Sequence, residues 1–367
     1  MKRTSDGLER ERHPMTRRDE ILDFLGHYDG PEVRIMEVCG THTAQIVRTG
    51  IPSLLSPKIH LISGPGCPVC VTVTDYIDRL VELSLAPGST VYAFGDLLRV
   101  RGSRYSLSEA KSLGGQVRMV YAPADLLMYA EREPDVCHIF AAVGFETTVP
   151  VYADLIQEAK RRGLTNVKLL TSLKTMPGIV RWLCRENEKA APDKKVTGFL
   201  APGHVCAAAG YRDYEPIAEA FQLPFIVAGF SADLLLAAIY DLVREQGRGV
   251  VRNFYPQAVT RDGNPAARAA VQEMFSPCDA AWRGFGTVPG TGLCLRPAFA
   301  SFDAGSEGLT RDHVAGGCRC ADVLMGRISS RECPLFGKVC TPENPQGACM
   351  VSQEGSCFNH FQEGVPY

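Results

Sequence analysis

Cys67 and Cys70, in the stretch GPGCPVC, form a C-x-x-C pair. Two thiols at that spacing can cycle between dithiol and disulfide, or chelate a metal. Cys39, in MEVCGTHT, stands where an apolar run gives way to a helix-like stretch. Exposed N–H groups at a helix start favour thiolate, and His42, three residues on, can hydrogen-bond that sulfur or ligate beside it. The same pair reads equally as a Cys-His nucleophile, and a single histidine is more often structural. Near the end of the chain Cys333, Cys340, Cys349 and Cys357 are separated by six, eight and seven residues. Four thiolates suit zinc or an iron-sulfur cluster. Structural zinc sites bring ligands in pairs two to four residues apart, so this spacing leans toward iron-sulfur, with plain buried thiols as a third reading. Cys318 or Cys320 can replace one of the four. Cys137, Cys184, Cys278 and Cys294 stand alone and read as small buried hydrophobes.

Other candidates end apolar runs. In GFETT, Glu146, Thr147 and Thr148 offer a carboxylate and two hydroxyls, or equally a capped helix start. His204 in APGHVC and Asp96 in FGDLLRV are polar residues that can serve a ligand or tie down a loop. No G-x-x-x-x-G-K-[ST] occurs, and GFGTVPGTG has neither the spacing nor the following helix of a phosphate loop, so ATP is not expected.

These residues need elements to hold them. Apolar runs at Val33 to Val38, Ile59 to Ser63, Thr90 to Phe94, Val136 to Val143, Val167 to Leu170, Val196 to Leu200 and Phe225 to Gly229 alternate with helical stretches. That pattern predicts an α/β fold with parallel sheets, and the glycine-bearing turns collect at strand carboxyl ends, where ligands bind. The expected organisation is a charged extension (1–30), two Rossmann-like α/β units (31–133 and 134–246) divided at the charged Glu131 to Pro134 break, and a small cysteine-rich iron-sulfur domain (247–367). Such a domain needs a staple.

The composition sets the compartment. The first twenty residues are charged throughout, unlike a signal peptide or anchor, and Phe225 to Val243 is interrupted by Asp233, Asp241 and a helix start at Ser231. No membrane segment is expected, and the chain is placed in the cytoplasm, where fourteen cysteines stay reduced. A formal charge of -2 gives no general attraction to nucleic acid or anionic lipid.

Taken in order, MEVCGTHT, SGPGCPVCVT, VGFETT, APGHV and CPLFGKVCTPENPQGACMVSQEGSC resemble the signature blocks of the HypD family of hydrogenase formation and maturation proteins. The resemblance covers the chain from about Val33. It implies a cytoplasmic scaffold on which the Fe(CN)2CO unit of [NiFe] hydrogenases is built, working with a HypC-type small chaperone and a HypE-type cyanide donor. It also implies a [4Fe-4S] cluster, making zinc the minor alternative. Cys39 then matches the cysteine that holds the iron under assembly, with His42 beside it. Cys67 and Cys70 match a redox-active pair, and Cys333, Cys340, Cys349 and Cys357 match the cluster block. Glu146, Thr147, Thr148 and His204 match motif positions. Two departures stand out: Cys206 in PGHVC occupies a position usually serine, and GFSADLL replaces a more usual GFEPLD. A stand-alone iron-sulfur and dithiol oxidoreductase is the rival reading, and a zinc-stapled binding protein a third.

Overall fold

The computed structural model describes residues 16–313 and 316–363. Among them the strands, in chain order, are β1 (Val33–Glu37), β2 (Ile59–Ser63), β3 (Ser89–Ala93), β4 (Val117–Met119), β5 (Cys137–Gly144), β6 (Val167–Lys174), β7 (Gly198–Ala201), β8 (Phe225–Val227), β9 (Val251–Asn253), β10 (Phe275–Trp282) and β11 (Gly286–Leu295). They form two sheets. The first, in the order β2-β1-β7-β8-β9, is parallel throughout. The second runs β10-β11-β6-β5-β3-β4, with β6, β5, β3 and β4 parallel and the β10–β11 hairpin antiparallel at one edge.

The fold is thus α/β with two Rossmann-like units, as the alternation of runs predicts, and each predicted strand is present within a few residues. Parallel strands covered by helices on both faces read as short apolar runs, which is why they show in the sequence. The helix Ala232–Arg244, capped by Ser231 Oγ accepting from Leu234 N at 3.4 Å, packs against β1, β7 and β8. Its Leu235, Ile239 and Leu242 are fully buried, an i, i+4, i+7 stripe. No helix among the described residues is long and apolar enough to cross a membrane.

The division of the chain differs from the expected one. Glu131 to Pro134 does not separate the sheets, because β3 on one side of it pairs directly with β5 on the other, Ser89 opposite Cys137 through Tyr92 opposite Phe140. The break is the turn after the helix Asp125–Arg132, and its charges pair with neighbouring elements, Glu131 with Arg162 at 2.9 Å and Glu133 with Arg118 at 3.0 Å. The chain instead changes sheets after β2, after β6 and after β9. Residues from 247 on are likewise shared out, with β9 joining the first sheet and β10 and β11 the second. Of the charged extension, residues 1–15 lie outside the described residues. Its remainder is part of the fold: the helix Arg17–Gly26 begins with a Thr16–Asp19 capping box and buries Leu25 with Ile35, Leu235 and Ile239.

Candidate functional site

Both sheets reverse their winding direction at one point, and the candidate residues sit there. In the first sheet the chain leaves β1 for β2 on one side, while β7, β8 and β9 follow on the other. The switch lies between β1 and β7, whose carboxyl ends lead to Cys39 and His204. In the second, β4 lies to one side of β3 and β6 to the far side of β5, placing the switch between loops bearing Asp96 and Glu146. Open α/β sheets bind ligands in such crevices.

Cys39 is the N-cap of the helix Gly40–Arg48 and is buried, with 7% of its surface exposed. The loop that carries Cys67 lies against it. Gly40 N donates to Gly66 O at 3.3 Å, and a Cβ on Gly66 would stand 2.6 Å from Cys39 Cα. Only glycine permits that approach, since backbone cannot swing away as a flexible side chain can. Gly66→Ala is therefore expected to cost roughly 1–3 kcal/mol as overpacking, read as a lower denaturant midpoint at unchanged m value.

The expectation of a thiolate at Cys39 is reversed. Burial pushes its thiol up to about 12, outweighing the N–H groups of His42 and Thr41 that pull it down. His42 is fully buried, its Nε2 3.2 Å from Ala228 O, and burial pushes it down to about 4. With the proton on Nε2 donated to that carbonyl, Nδ1 remains a buried acceptor without a partner. Phe230, from the GFSADLL stretch, packs against both histidines, its ring 5.0 Å from His42 and stacked 4.1 Å from His204. His204 is exposed on its open side, and the partial desolvation it does have lowers it. Cys206, fully buried, has its thiol raised well above the ordinary range by burial.

Glu146 Oε1 accepts from Met176 N at 2.8 Å, capping the helix Met176–Glu188, while Oε2 is buried without a partner. Burial pushes this carboxyl up to about 7. Thr148 is the N-cap of the helix Val149–Arg161 and donates to Phe145 O at 3.2 Å. Thr147 is half-buried beside it. The capping role and a polar cleft residue thus coincide at Glu146.

Cys67 and Cys70 are joined as a disulfide, with Cα atoms 5.3 Å apart, in the first crossover between the sheets. Cys70 Sγ lies 3.8 Å from Ala348 O, which brings the C-terminal segment to this pair. That segment bridges both switch points. Thr41 Oγ1 donates to Glu354 Oε1 at 3.3 Å, and Ser352 Oγ to Asp96 Oδ2 at 2.9 Å.

Several of the C-terminal thiols lie near Gly347. Cys318 and Cys320 have sulfurs 3.4 Å apart, and both lie over Gly347, where a Cβ would stand 2.9 and 2.7 Å from them. Cys349, fully buried, is raised first by its hydrogen bond with Cys320 and then by burial, and it feels Cys357 and Cys318. Cys340 Sγ accepts from Gln346 N at 3.4 Å and lies in the field of Cys320 and Cys318. Cys333 is half-buried, at the turn Ser330–Glu332, within electrostatic reach of Arg319. Cys318 and Cys320 therefore stand closer to Cys340 and Cys349 than their sequence separation suggests. Among the described residues no three His, Cys, Asp or Glu side chains meet around a point as for a single metal ion. Soft thiols around a glycine-lined space fit a larger sulfide-bridged group by donor chemistry.

Sequence reasoning missed two buried polar groups. Glu37, in β1, accepts from Thr43 Oγ1 at 2.7 Å and is pushed up to about 8 by burial. Lys174, in β6, is 2% exposed and pushed down to about 7 by burial. A carboxylate inside the apolar run RIMEV is the one signal for the first; Lys174 lies beyond the apolar run that marks its strand.

Fold and site together define a two-sheet α/β protein that gathers cysteines from distant segments at the carboxyl ends of its parallel strands. The HypD family, described as "Hydrogenase formation hypA family", matches residues 19–364, and the chain belongs to that family. It is similar to the "Hydrogenase maturation factor HypD" of Rhodobacter capsulatus, with 38% identity over 94% of this chain and 93% of that protein. The protein of the same description from Azotobacter vinelandii is 40% identical over 91% and 90%. That of Escherichia coli strain K12 is 38% identical over 94% and 92%.

Proposed function

We propose that this protein is a cytoplasmic scaffold for [NiFe] hydrogenase maturation, holding iron on the Cys39 sulfur while cyanide and carbonyl are attached to form Fe(CN)2CO. The observation that carries the reading is the juxtaposition of Cys39 with the Cys67–Cys70 loop at a topological switch point, bridged by the C-terminal cysteine segment. A soft thiolate tolerates low-valent iron bearing strong-field ligands. Because burial keeps the free Cys39 thiol protonated, iron binding must release that proton. His42 Nδ1, a buried lone pair beside the same helix start, suits a second ligand or the acceptor for that proton.

Cyanide reaches the iron from a HypE-type partner as a thiocyanate-like group, with a HypC-type chaperone sharing the iron. The reduced Cys67 and Cys70 pair supplies the two electrons that cleavage of the S–CN bond requires. Two thiols and R–S–CN give a disulfide, R–SH, cyanide ion and one proton, so the step balances. The cysteines at 333, 340, 349 and 357, with Cys318 or Cys320 in place of one, would hold a [4Fe-4S] cluster, which supplies single electrons when bound. Glu146, Thr147, Thr148 and His204 line the strand ends around this chemistry and order its loops.

The test is an infrared spectrum of the anaerobically purified protein, co-expressed with its small chaperone, in the region where iron-bound CO and CN stretch. Bands from both ligands are expected. Their absence from protein carrying its full complement of cluster iron would favour a stand-alone oxidoreductase.

A further inference from the structure

The edge of the second sheet carries a group of polar side chains that the chemistry at Cys39 does not use. Lys174 of β6 and Cys278 of β10 are both register partners of Gly292 in β11, so the three stand in one row across the strands and share a face. Gly292 leaves the middle of that row bare, and a Cβ there would stand 3.1 Å from Cys278 Sγ. Cys294, two residues along β11, lies on the same face and pairs with Ser276, whose carbonyl accepts from its thiol at 3.6 Å. Cys278 and Cys294, which stand alone in the sequence, are thus diagonal neighbours in the hairpin. Both are half-buried, and with Lys174 they line a cavity of about 550 Å3.

These groups act on one another. Burial raises the Cys278 thiol, the charge of Cys294 and a hydrogen bond with it raise it further, and Lys174 pulls it down. Burial lowers Lys174 to about 7, against which Cys278 raises it. A thiol pair can join directly as a disulfide or through a third atom. Diagonal positions on antiparallel strands have Cα atoms roughly 7–8 Å apart. A disulfide spans only about 4.4–6.8 Å. A bridging metal adds two bonds of roughly 2.3 Å each, which suits the wider spacing. The carboxylates of the cavity do not complete a site of three or four ligands. Asp279 accepts from Gly290 N at 2.9 Å, Asp303 accepts from Ser306 N at 3.2 Å, and Glu307 is exposed.

We propose that Cys278 and Cys294 form a binding site for copper(I), held between their two sulfurs. Copper(I) is a soft closed-shell cation that thiolates select, and it is content with two ligands. Two thiolates and one such ion carry a single net negative charge, which is costly in a half-buried place unless a cation accompanies it. The ammonium of Lys174, in the same row, supplies that cation. Binding replaces two S–H bonds by two S–Cu bonds and releases two protons, to solvent or in part to Lys174, and no electron changes hands. The site lies on the hairpin, and none of its residues belongs to the thiols proposed for iron at Cys39 or for the C-terminal cluster.

The experiment is anaerobic titration of the full chain with copper(I) buffered by the chromophoric chelator bicinchoninate. Other thiols of this chain also bind copper, so the readout is the change in the number of ions retained against the chelator. Cys278→Ser, Cys294→Ser and the double variant should each retain one ion fewer than the wild type, because one ion needs both sulfurs. Lys174→Met should keep the number and weaken that ion by at least about tenfold, through loss of one nearby opposite charge. Cys137→Ser, which removes a half-buried thiol at the start of β5, should change nothing. Circular dichroism checks the fold of each variant, and where one cysteine variant fails to fold the other decides. Single variants that lose no ion, or a double variant that loses two, overturn the proposal. None of these substitutions touches Cys39, so infrared bands from iron there can be present or absent without altering this result.

Discussion

Cys39→Ala is expected to lose both the CO and CN infrared bands and the iron held beyond the cluster, while the protein stays folded. The side chain is small and removing its sulfur forfeits only about 1 kcal/mol of burial, so the fold should survive. Iron retention should not, because Cys39 is the N-cap of the helix that follows β1 at the switch, whereas Cys206, the other thiol there, stands inside the helix Gly203–Ala209 that follows β7. Acidity provides a second readout. The free thiol is pushed up to about 12, so each iron bound displaces one proton, and iron affinity should fall as the pH is lowered. Isothermal titration in buffers of different ionisation enthalpy would measure the released proton directly. Persistence of both bands in Cys39→Ala would move the iron to another ligand and end the scaffold assignment for this residue.

How far this arrangement is legible in the sequence depends on the range of the interactions. β1, β5 and β8 can be read because burial on both faces makes them apolar runs and the turns that follow carry glycine. Which sheet each strand joins cannot be read in that way. Glu37 is opposite both Ser63 and Leu200, and nothing local marks the second partner, 163 residues away, rather than β3. The β10–β11 hairpin is hidden for a different reason: its strands contain proline, glycine and a bulge between Cys278 and Ala280, all of which weaken a strand signal. At the site, the helix start after Cys39 is visible in MEVCGTHT, but the sign of its acidity shift is not. That sign is set by how completely Gly66 and the C-terminal segment close over the sulfur. Likewise, spacing favours Cys333, Cys340, Cys349 and Cys357 as a group, whereas the fold brings Cys318 and Cys320 up to Cys349 across Gly347.

Cys67→Ala is expected to reduce hydrogenase maturation to background while leaving iron-sulfur content unchanged. The variant cannot form the Cys67–Cys70 disulfide, so on the proposed function it would fail to deliver the electron pair for releasing cyanide from a sulfur-bound precursor. A structural role predicts a different pattern. The disulfide closes a very short loop, and its loss should cost at most about 2 kcal/mol by chain entropy. Its replacement should therefore leave the cluster segment in place, even though Cys70 Sγ lies 3.8 Å from Ala348 O. Measuring acid-labile sulfide, total iron and maturation in parallel separates the cases. Full sulfide with no maturation supports the dithiol as electron donor; sulfide lost together with maturation assigns Cys67 to holding the C-terminal segment. Cys70→Ala sharpens the distinction, since a two-electron donor requires both thiols and should fail equally with either removed, whereas a purely structural contact with Ala348 depends on Cys70 more than on Cys67.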